Sequence, residues 1–342
     1  MRVKLGDVCE RGTSNLKLLD VSEKNGEFSV FGASGYIGSV DFYQQGYPYV
    51  AVVKDGAGIG RAMLCPGKTS VIGTMQYLLP KDNILPKYLF YVVKYMNLEK
   101  YFTGATIPHI YFKDYKNEEF NFDFWERQVE IVSVLSKCEK VIDLCKQELQ
   151  LLDKLIKARF VELFGDPVSN SYGLPEATLP DLGEFGRGVS KHRPRNDIKL
   201  LGGKYPLIQT GDVANAGLYI TSYSSTYSEL GLKQSKMWDK GTLCITIAAN
   251  IAKTAILEFD ACFPDSVVGF IANERTNNIF VHYWFSFFQA ILESQAPESA
   301  QKNINLKILS ELKVIVPEKR KQDQFASFVK LTDKSKVAVR KY

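Results

Sequence analysis

No apolar run in this chain reaches the ~18 residues that a membrane-spanning helix needs. Its start, Met1-Arg2-Val3-Lys4-Leu5-Gly6-Asp7, lacks the apolar core of a secretion signal. None of the six cysteines forms a Cys-x-x-Cys pair. Neither a disulfide framework nor a zinc spacing is therefore written here, and the expected compartment is the reducing cytoplasm. Histidine is scarce: His109, His192 and His282 stand far apart, none with a Cys or His at metal-ligand spacing. A surplus of one charge is missing from the body of the chain. Residues 1–125 carry 14 basic and 13 acidic side chains, residues 126–165 seven of each, and residues 166–317 14 and 15. The net +5 comes from the last 25 residues, with 8 basic and 3 acidic. Any contact with nucleic acid must then come from local clusters.

Catalytic signatures are absent too. Pro66-Gly67-Lys68-Thr69-Ser70 resembles the tail of a phosphate-binding loop, but the required earlier glycine is Ala62. Gly56-x-Gly58-x-Gly60 has the wrong spacing for a dinucleotide turn. No Gly-x-Ser-x-Gly elbow occurs, nor an Asn or Asp followed by Pro-Pro-aromatic, the adenine methylase signature. The chain does not read as an enzyme by itself.

What is present is a long helix and a repeated plan. From Phe124 to Phe164 there is no Pro or Gly, and Gly165-Asp166-Pro167 is a stop signal. Two apolar rows recur at heptad spacing: Leu135, Ile142, Leu149, Ile156, Leu163 and Ile131, Cys138, Cys145, Leu152. Alternating steps of four and three place both rows on one face, the seam of a coiled coil. About 40 residues at 1.5 Å each give a rod of roughly 60 Å.

The two flanking regions share an order of features. Each opens with Leu-x-Asp (Leu5-Gly6-Asp7; Leu179-Pro180-Asp181), then a strand signal (Gly26 to Val30; Gly203 to Ile208). A hydrophobic strand pair with a small-residue turn follows (from Tyr49; from Leu243), then an aromatic helix (from Tyr88; from Val281) and a polar loop (Gly104 to Ile110; Ser299 to Ile304). Gln128-Val-Glu-Ile131 aligns with Gln322-Asp-Gln-Phe325 at an offset of 194, which sets Ile142 opposite Lys336. The expectation is an α+β chain: globules at 1–124 and 166–317, a helix at 125–165, and a shorter helix at 318–342 folded back antiparallel on the first.

The clearest cationic cluster is the loop Arg187 to Asp197. With Lys199 and Lys204 it holds six basic side chains (Arg187, Lys191, Arg193, Arg195 and those two lysines) and His192 against one acid. Flexible cations track phosphates, and Arg reads the guanine edge. The polar loops offer Thr106, His109, Gln301, Lys302 and Asn303, short donors and acceptors of the kind that read base edges. Scattered candidates are Ser34, Tyr36, Lys54, Arg61, Lys113 and Asn250. Each also fits an ordinary surface role, and a coiled-coil adaptor joining two protein-binding globules is the competing reading.

Together these pieces resemble the specificity subunit of type I restriction-modification systems. The resemblance rests on two globules each followed by Gln-x-x-(Ile/Phe), on Gly104-Ala-Thr-Ile-Pro-His-Ile110, on Ala300-Gln301-x-Asn303-Ile304, and on Leu155-Ile-Lys-Ala-Arg-Phe-x-x-Leu-Phe-Gly-Asp-Pro167. It covers the whole chain, with one departure, the short distal helix. It implies two target recognition domains, each reading one half of a split site in double-stranded DNA, and paired helices that set the gap. It also implies docking of two modification (methylase) subunits and a motor-nuclease subunit. On that reading S-adenosylmethionine, ATP and Mg belong to the partners and none to this chain, and no membrane is involved.

Overall fold

The four residues Leu5–Val8 fold into a single helical turn because Asp7 caps it: its carboxylate accepts the Lys4 N–H at 3.1 Å. Asp181 does the same for the turn Leu179–Leu182, accepting the Thr178 N–H at 3.0 Å. In both turns the flanking apolar residues, Leu5 and Val8, Leu179 and Leu182, are buried. The Leu-x-Asp signal is thus a capped turn that pins the start of each globule to its core.

The computed structural model describes residues 1–22, 26–104, 108–248, 251–295 and 304–340. Packing divides the chain into two units, Met1–Ile142 and Asp143–Tyr342. The first contains β1 (Arg2–Lys4), α1 (Leu5–Val8), β2 (Cys9–Thr13), α2 (Leu18–Ser22), β3 (Phe28–Gly32), β4 (Gly35–Val40), β5 (Tyr49–Val53), β6 (Ala62–Cys65), β7 (Ser70–Val71), β8 (Met75–Pro80), α3 (Pro86–Met96), α4 (Phe112–Tyr115) and β9 (Glu119–Asn121). Its main sheet runs β2-β8-β5-β6, a second runs β4-β3-β7 with β3 and β7 parallel, and β1 pairs β9. Strand β5 is buried on both faces. Val50 and Val52 face the core that holds α3, whereas Tyr49, Ala51 and Val53 face a second core with Val71 and Tyr77.

After the long helix α5 (Trp125–Phe164), the second unit repeats this plan. It has β10 (Glu176–Ala177), α6 (Leu179–Leu182), β11 (Gly183–Arg187), β12 (Leu201–Leu207), α7 (Thr210–Asn215), β13 (Tyr219–Ile220), β14 (Ser225–Tyr227), α8 (Glu229–Lys233), β15 (Met237–Trp238), β16 (Leu243–Thr246), β17 (Thr254–Leu257), β18 (Ala261–Cys262), β19 (Val267–Ala272), α9 (Asn278–Gln295), α10 (Leu306–Glu311), β20 (Val314–Ile315) and α11 (Lys319–Arg340). The main sheet β11-β19-β16-β17 has the order of β2-β8-β5-β6, with β13 added at one edge. The parallel pair β12 and β18 matches β3 and β7, and β10–β20 matches β1–β9. The chain is α+β, built twice, with the expected long helix between the copies.

The aligned glutamines explain how each helix leaves its sheet. Gln128 and Gln322 are both fully buried. Gln128 Nε2 donates to Asn83 O and Asp123 O, each at 3.0 Å, and its Oε1 accepts the Leu85 N–H at 2.9 Å. Gln322 Nε2 donates to Arg275 O at 3.0 Å and Pro317 O at 2.8 Å, and its Oε1 accepts from the Thr276 hydroxyl at 2.8 Å. Each amide thus ties the first turn of α5 or α11 to the segment just before α3 or α9 and to the carbonyl five residues upstream.

Helix α5 is shared between the units. Ile131 and Val132 pack on the first core, and Glu139 takes the Tyr91 hydroxyl at 2.7 Å. Ile156, Phe160 and Phe164 belong to the second core. Gly165 ends the helix at φ +75°, and a Cβ there would lie 2.5 Å from Ser171 Oγ. Helix α11 packs antiparallel on the C-terminal part of α5. Phe325 stacks edge-on to Phe160 at 5.3 Å, and one-third of the way back along α5 Asp153 pairs with Lys336.

One expectation changes here. The predicted seam is left open over one stretch, from Leu135 to Ile142. Ile131, Leu163 and the fully buried Ile156 have cores to join, and Cys145, Leu149 and Leu152 are partly buried. Leu135, Cys138 and Ile142 are exposed, as are their neighbours Val134, Val141, Leu144 and Leu151. The cover comes from each unit's own core, so the seam positions between 135 and 142 receive little, and cover resumes from Cys145 onward. The helix runs Trp125–Phe164, and contact packing divides the chain within it, between Ile142 and Asp143.

Replacing Gln128 or Gln322 by Leu orphans three buried polar groups. At about 1–3 kcal/mol per group, partly offset by rehydration, each substitution costs roughly 2–4 kcal/mol. Urea unfolding of the full chain checks this, with Gln147→Leu, on the exposed middle of α5, shifting stability by less than about 0.5 kcal/mol.

Candidate nucleic-acid interface

In the first unit the β5–β6 turn carries three glycines with positive φ, Gly56, Gly58 and Gly60. The open turn accepts the polar loop across it: Gly56 N–H donates to Pro108 O and Ile110 N–H to Lys54 O, both at 2.9 Å. Thr103 and His109 exchange backbone hydrogen bonds, closing the loop. This brings His109 Nδ1 to 2.7 Å from Asp55 Oδ1, while Lys54 Nζ lies 3.2 Å from the other carboxylate oxygen. His109 stacks on Tyr111, and Lys113 Nζ sits 5.3 Å above the same ring. Arg61, opposite Val53 on the hairpin, donates to Ala33 O beside Ser34.

Four predicted residues, Lys54, Arg61, His109 and Lys113, therefore gather around this turn. Tyr36 is exposed on β4 and bonds Ser39. Thr106 lies outside the described residues. Two members of the cluster escaped the sequence reading: Asp55 and Tyr111. Their signal was adjacency, since each directly follows or nearly follows a chosen residue.

The second unit repeats the hairpin, with Ile304 N–H donating to Ile247 O at 3.0 Å where Ile110 binds Lys54. Asn250, Gln301, Lys302 and Asn303 lie outside the described residues. The basic loop follows β11. Gly188 permits it, because a Cβ there would lie 2.3 Å from Phe263 O. Gln234 anchors its backbone, Oε1 accepting the Lys191 and His192 N–H groups at 2.7 and 3.0 Å.

The charge of that loop is lower than its sequence indicates. Asp265, from the turn between β18 and β19, faces both Arg195 (2.5 Å) and Arg193 (3.4 Å). Lys204 lies on β12 and pairs with Glu229 at 3.4 Å, and His192 pairs with Asp197 at 3.1 Å. The Lys199 N–H, then His192, hold the Asp197 carboxyl below its usual range. Arg187, Lys191 and Lys199 have no ion-pair partner among the described residues. Three of the six cations thus meet two carboxylates from outside the loop, Asp265 and Glu229, while Asp197, the one acid within it, meets His192. No local pattern announces Asp265 or Glu229, which arrive from 70 and 25 residues away from their partners' end of the loop only through strand pairing.

Among the described residues no group of His, Cys, Asp and Glu could hold a metal. Burial pushes Cys9 up to about 12 and Cys65 to about 11, so these thiols stay protonated. His282 is structural: Nδ1 lies 2.9 Å from the Thr254 hydroxyl, and burial, then the Lys336 ammonium, lowers it to about 4.

The sequence profile of the type I restriction modification DNA specificity domain matches residues 1–154 and again 176–341. The chain belongs to this family. Its two matches fall on the two structural repeats. The chain is 22% identical over 292 residues to the MjaX type I restriction enzyme specificity subunit of Methanocaldococcus jannaschii, covering 80% of this chain and 68% of that one. The MjaIX specificity subunit of the same organism is 26% identical over 179 residues, 47% of this chain and 40% of that one. The fold resembles the crystal structure of a type I restriction-modification S subunit from M. genitalium, with TM-score 0.64 and 17% identity, covering 100% of this chain and 91% of that one.

His282 gives a pH test. Its pKa falls from 6.5 to about 4 on folding. Between those values the unfolded chain binds more protons, so stability declines as pH drops from about 6.5 to about 4. Urea midpoints at pH 7 and pH 5 should differ less for His282→Gln than for the native chain.

Proposed function

We propose that the chain is the DNA-reading subunit of a type I restriction-modification complex and is itself non-catalytic. Each unit reads one half of a bipartite site in double-stranded DNA, and α5 sets the gap between halves. The observation that carries this is the duplication: one sheet order and one buried glutamine anchor occur twice on a chain with a single continuous 40-residue helix between them. Dimeric DNA readers solve the same geometric problem with two-fold symmetry and fixed half-site spacing. Family membership supports the assignment of chemistry to partners. Two methylase subunits bring S-adenosylmethionine, and a motor-nuclease subunit brings ATP and Mg, in the cytoplasm. The apolar face exposed midway along α5 suits docking of such partners.

The cations at the β5–β6 turn and on the loop after β11 supply phosphate contacts in this reading. Arg187, Lys191 and Lys199 carry most of the second unit's share, because they have no carboxylate partner among the described residues. An adaptor that joins two proteins would bind no duplex.

Two measurements test the proposal on the full chain co-expressed with its methylase subunit. Inserting one heptad after Gln147 lengthens the helix by about 10 Å, equal to about three base pairs. Sequencing of N6-methyladenine positions should show a gap longer by that amount, and an unchanged gap refutes the ruler. Arg187→Ala with Lys191→Ala should weaken duplex binding and flatten its salt dependence by about two units.

A further inference from the structure

We infer that Asp265 is a positioning residue that restrains Arg193 and Arg195 and so limits non-specific DNA binding by the second unit. The inference rests on reading that unit as a DNA reader. Asp265 stands in the turn Pro264–Ser266, closed by a Val267 N–H to Pro264 O hydrogen bond at 3.0 Å. The turn cannot drift, since Gly188 packs against Phe263 O and Pro264 O so closely that a Cβ would overlap both. From this fixed point the carboxylate spans two guanidinium groups, Oδ1 to Arg195 at 2.5 Å and Oδ2 to Arg193 at 3.4 Å. Arg193 is further held by Nη1, which donates to Ser190 O at 2.6 Å and His192 O at 2.8 Å.

Two consequences follow. The pair presents one net charge in place of two, which removes about one counterion's worth of attraction for any phosphate. The Arg193 guanidinium is also oriented in advance by its two backbone carbonyls, and Arg195 is held close by the ion pair. Arg195 lines a cleft of about 300 Å³ with Asn196, Gln209, Tyr227, Ser266 and Ser190. Ser190 is buried, and its hydroxyl has no hydrogen-bond partner among the described residues. The same cleft is lined by Leu201, Leu207 and Pro264, so a carboxylate that holds arginines beside it favours a partner that fits these mixed polar and apolar walls over one that offers only charge. A nucleobase edge with donors and acceptors is such a partner, and a bare phosphate is not.

The test uses the full chain with its methylase subunit, mixed-sequence duplex as the probe, and methyladenine sequencing for specificity. Asp265→Asn should tighten binding to mixed duplex about 3- to 10-fold at moderate salt and steepen the salt dependence by about one unit. One half of the methylated site should become degenerate while the other keeps its sequence. Asp265→Glu should restore both properties, and Asp265→Asn should have no effect on mixed-duplex binding once Arg193 and Arg195 are both Ala.

An unchanged or weaker affinity for mixed duplex, with both half-sites intact, overturns the inference while leaving the DNA-reading assignment standing. Absence of duplex binding by the native complex sinks both. If Asp265→Asn does not fold, Arg195→Gln decides. Made together with Arg193→Gln, it should flatten the salt dependence by about one unit, as Arg187→Gln does alone, and flattening by about two units shows that Asp265 imposes no restraint.

Discussion

A chain that leaves a sheet and enters a free helix must satisfy the backbone groups it uncovers at the junction. Here one buried glutamine amide does this at each exit, bridging the helix start, the strand that feeds it and the turn ahead of the aromatic helix. The three hydrogen bonds fix direction as well as position, because a planar amide with two donors and one acceptor tolerates little rotation. Everything proposed about spacing depends on that rigidity. A helix can transmit a distance only if its ends do not swivel in their sockets.

The second theme is charge. The sequence displays a basic loop, and folding delivers carboxylates to it. Asp265 and Glu229 lie on turns and helices that strand order alone brings near. The same happens in the first unit, where Asp55 sits between Lys54 and His109. Exposed ion pairs of this kind contribute little stability, about 0–1 kcal/mol. Their effect is to hold long cations in one orientation, which matters more to recognition than to folding.

Much of the architecture was legible in the sequence, for identifiable reasons. The 40-residue helix announced itself because heptad periodicity, absence of Pro and Gly, and the Gly165–Pro167 stop all agree. The repeat was legible from Leu-x-Asp and Gln-x-x-(Ile/Phe), and both signals turned out to be hydrogen-bonding devices, a cap and an anchor. Strand order was not legible, since β5 and β16 are apolar on both faces and give no alternation to set neighbours. The cover of the seam was not legible either. Heptad rows say which residues want a neighbour, not which neighbour arrives, so Leu135 and Ile142 looked the same as Ile156. Long-range counter-ions leave no local trace at all, which is why Asp265 and Glu229 were missed while Arg193, Arg195 and Lys204 were found.

One of the aligned positions at which the two helices differ sets Ile142 against Lys336. Where α5 carries the exposed Ile142, α11 carries Lys336, buried and joined to Asp153. A polar residue inside an apolar seam penalises every alignment but one. Oily surfaces slide past each other by a whole heptad at small penalty; a sequestered ammonium does not, because sliding would strand it without its carboxylate. The second copy of the plan thus carries a stop against slippage that the first lacks.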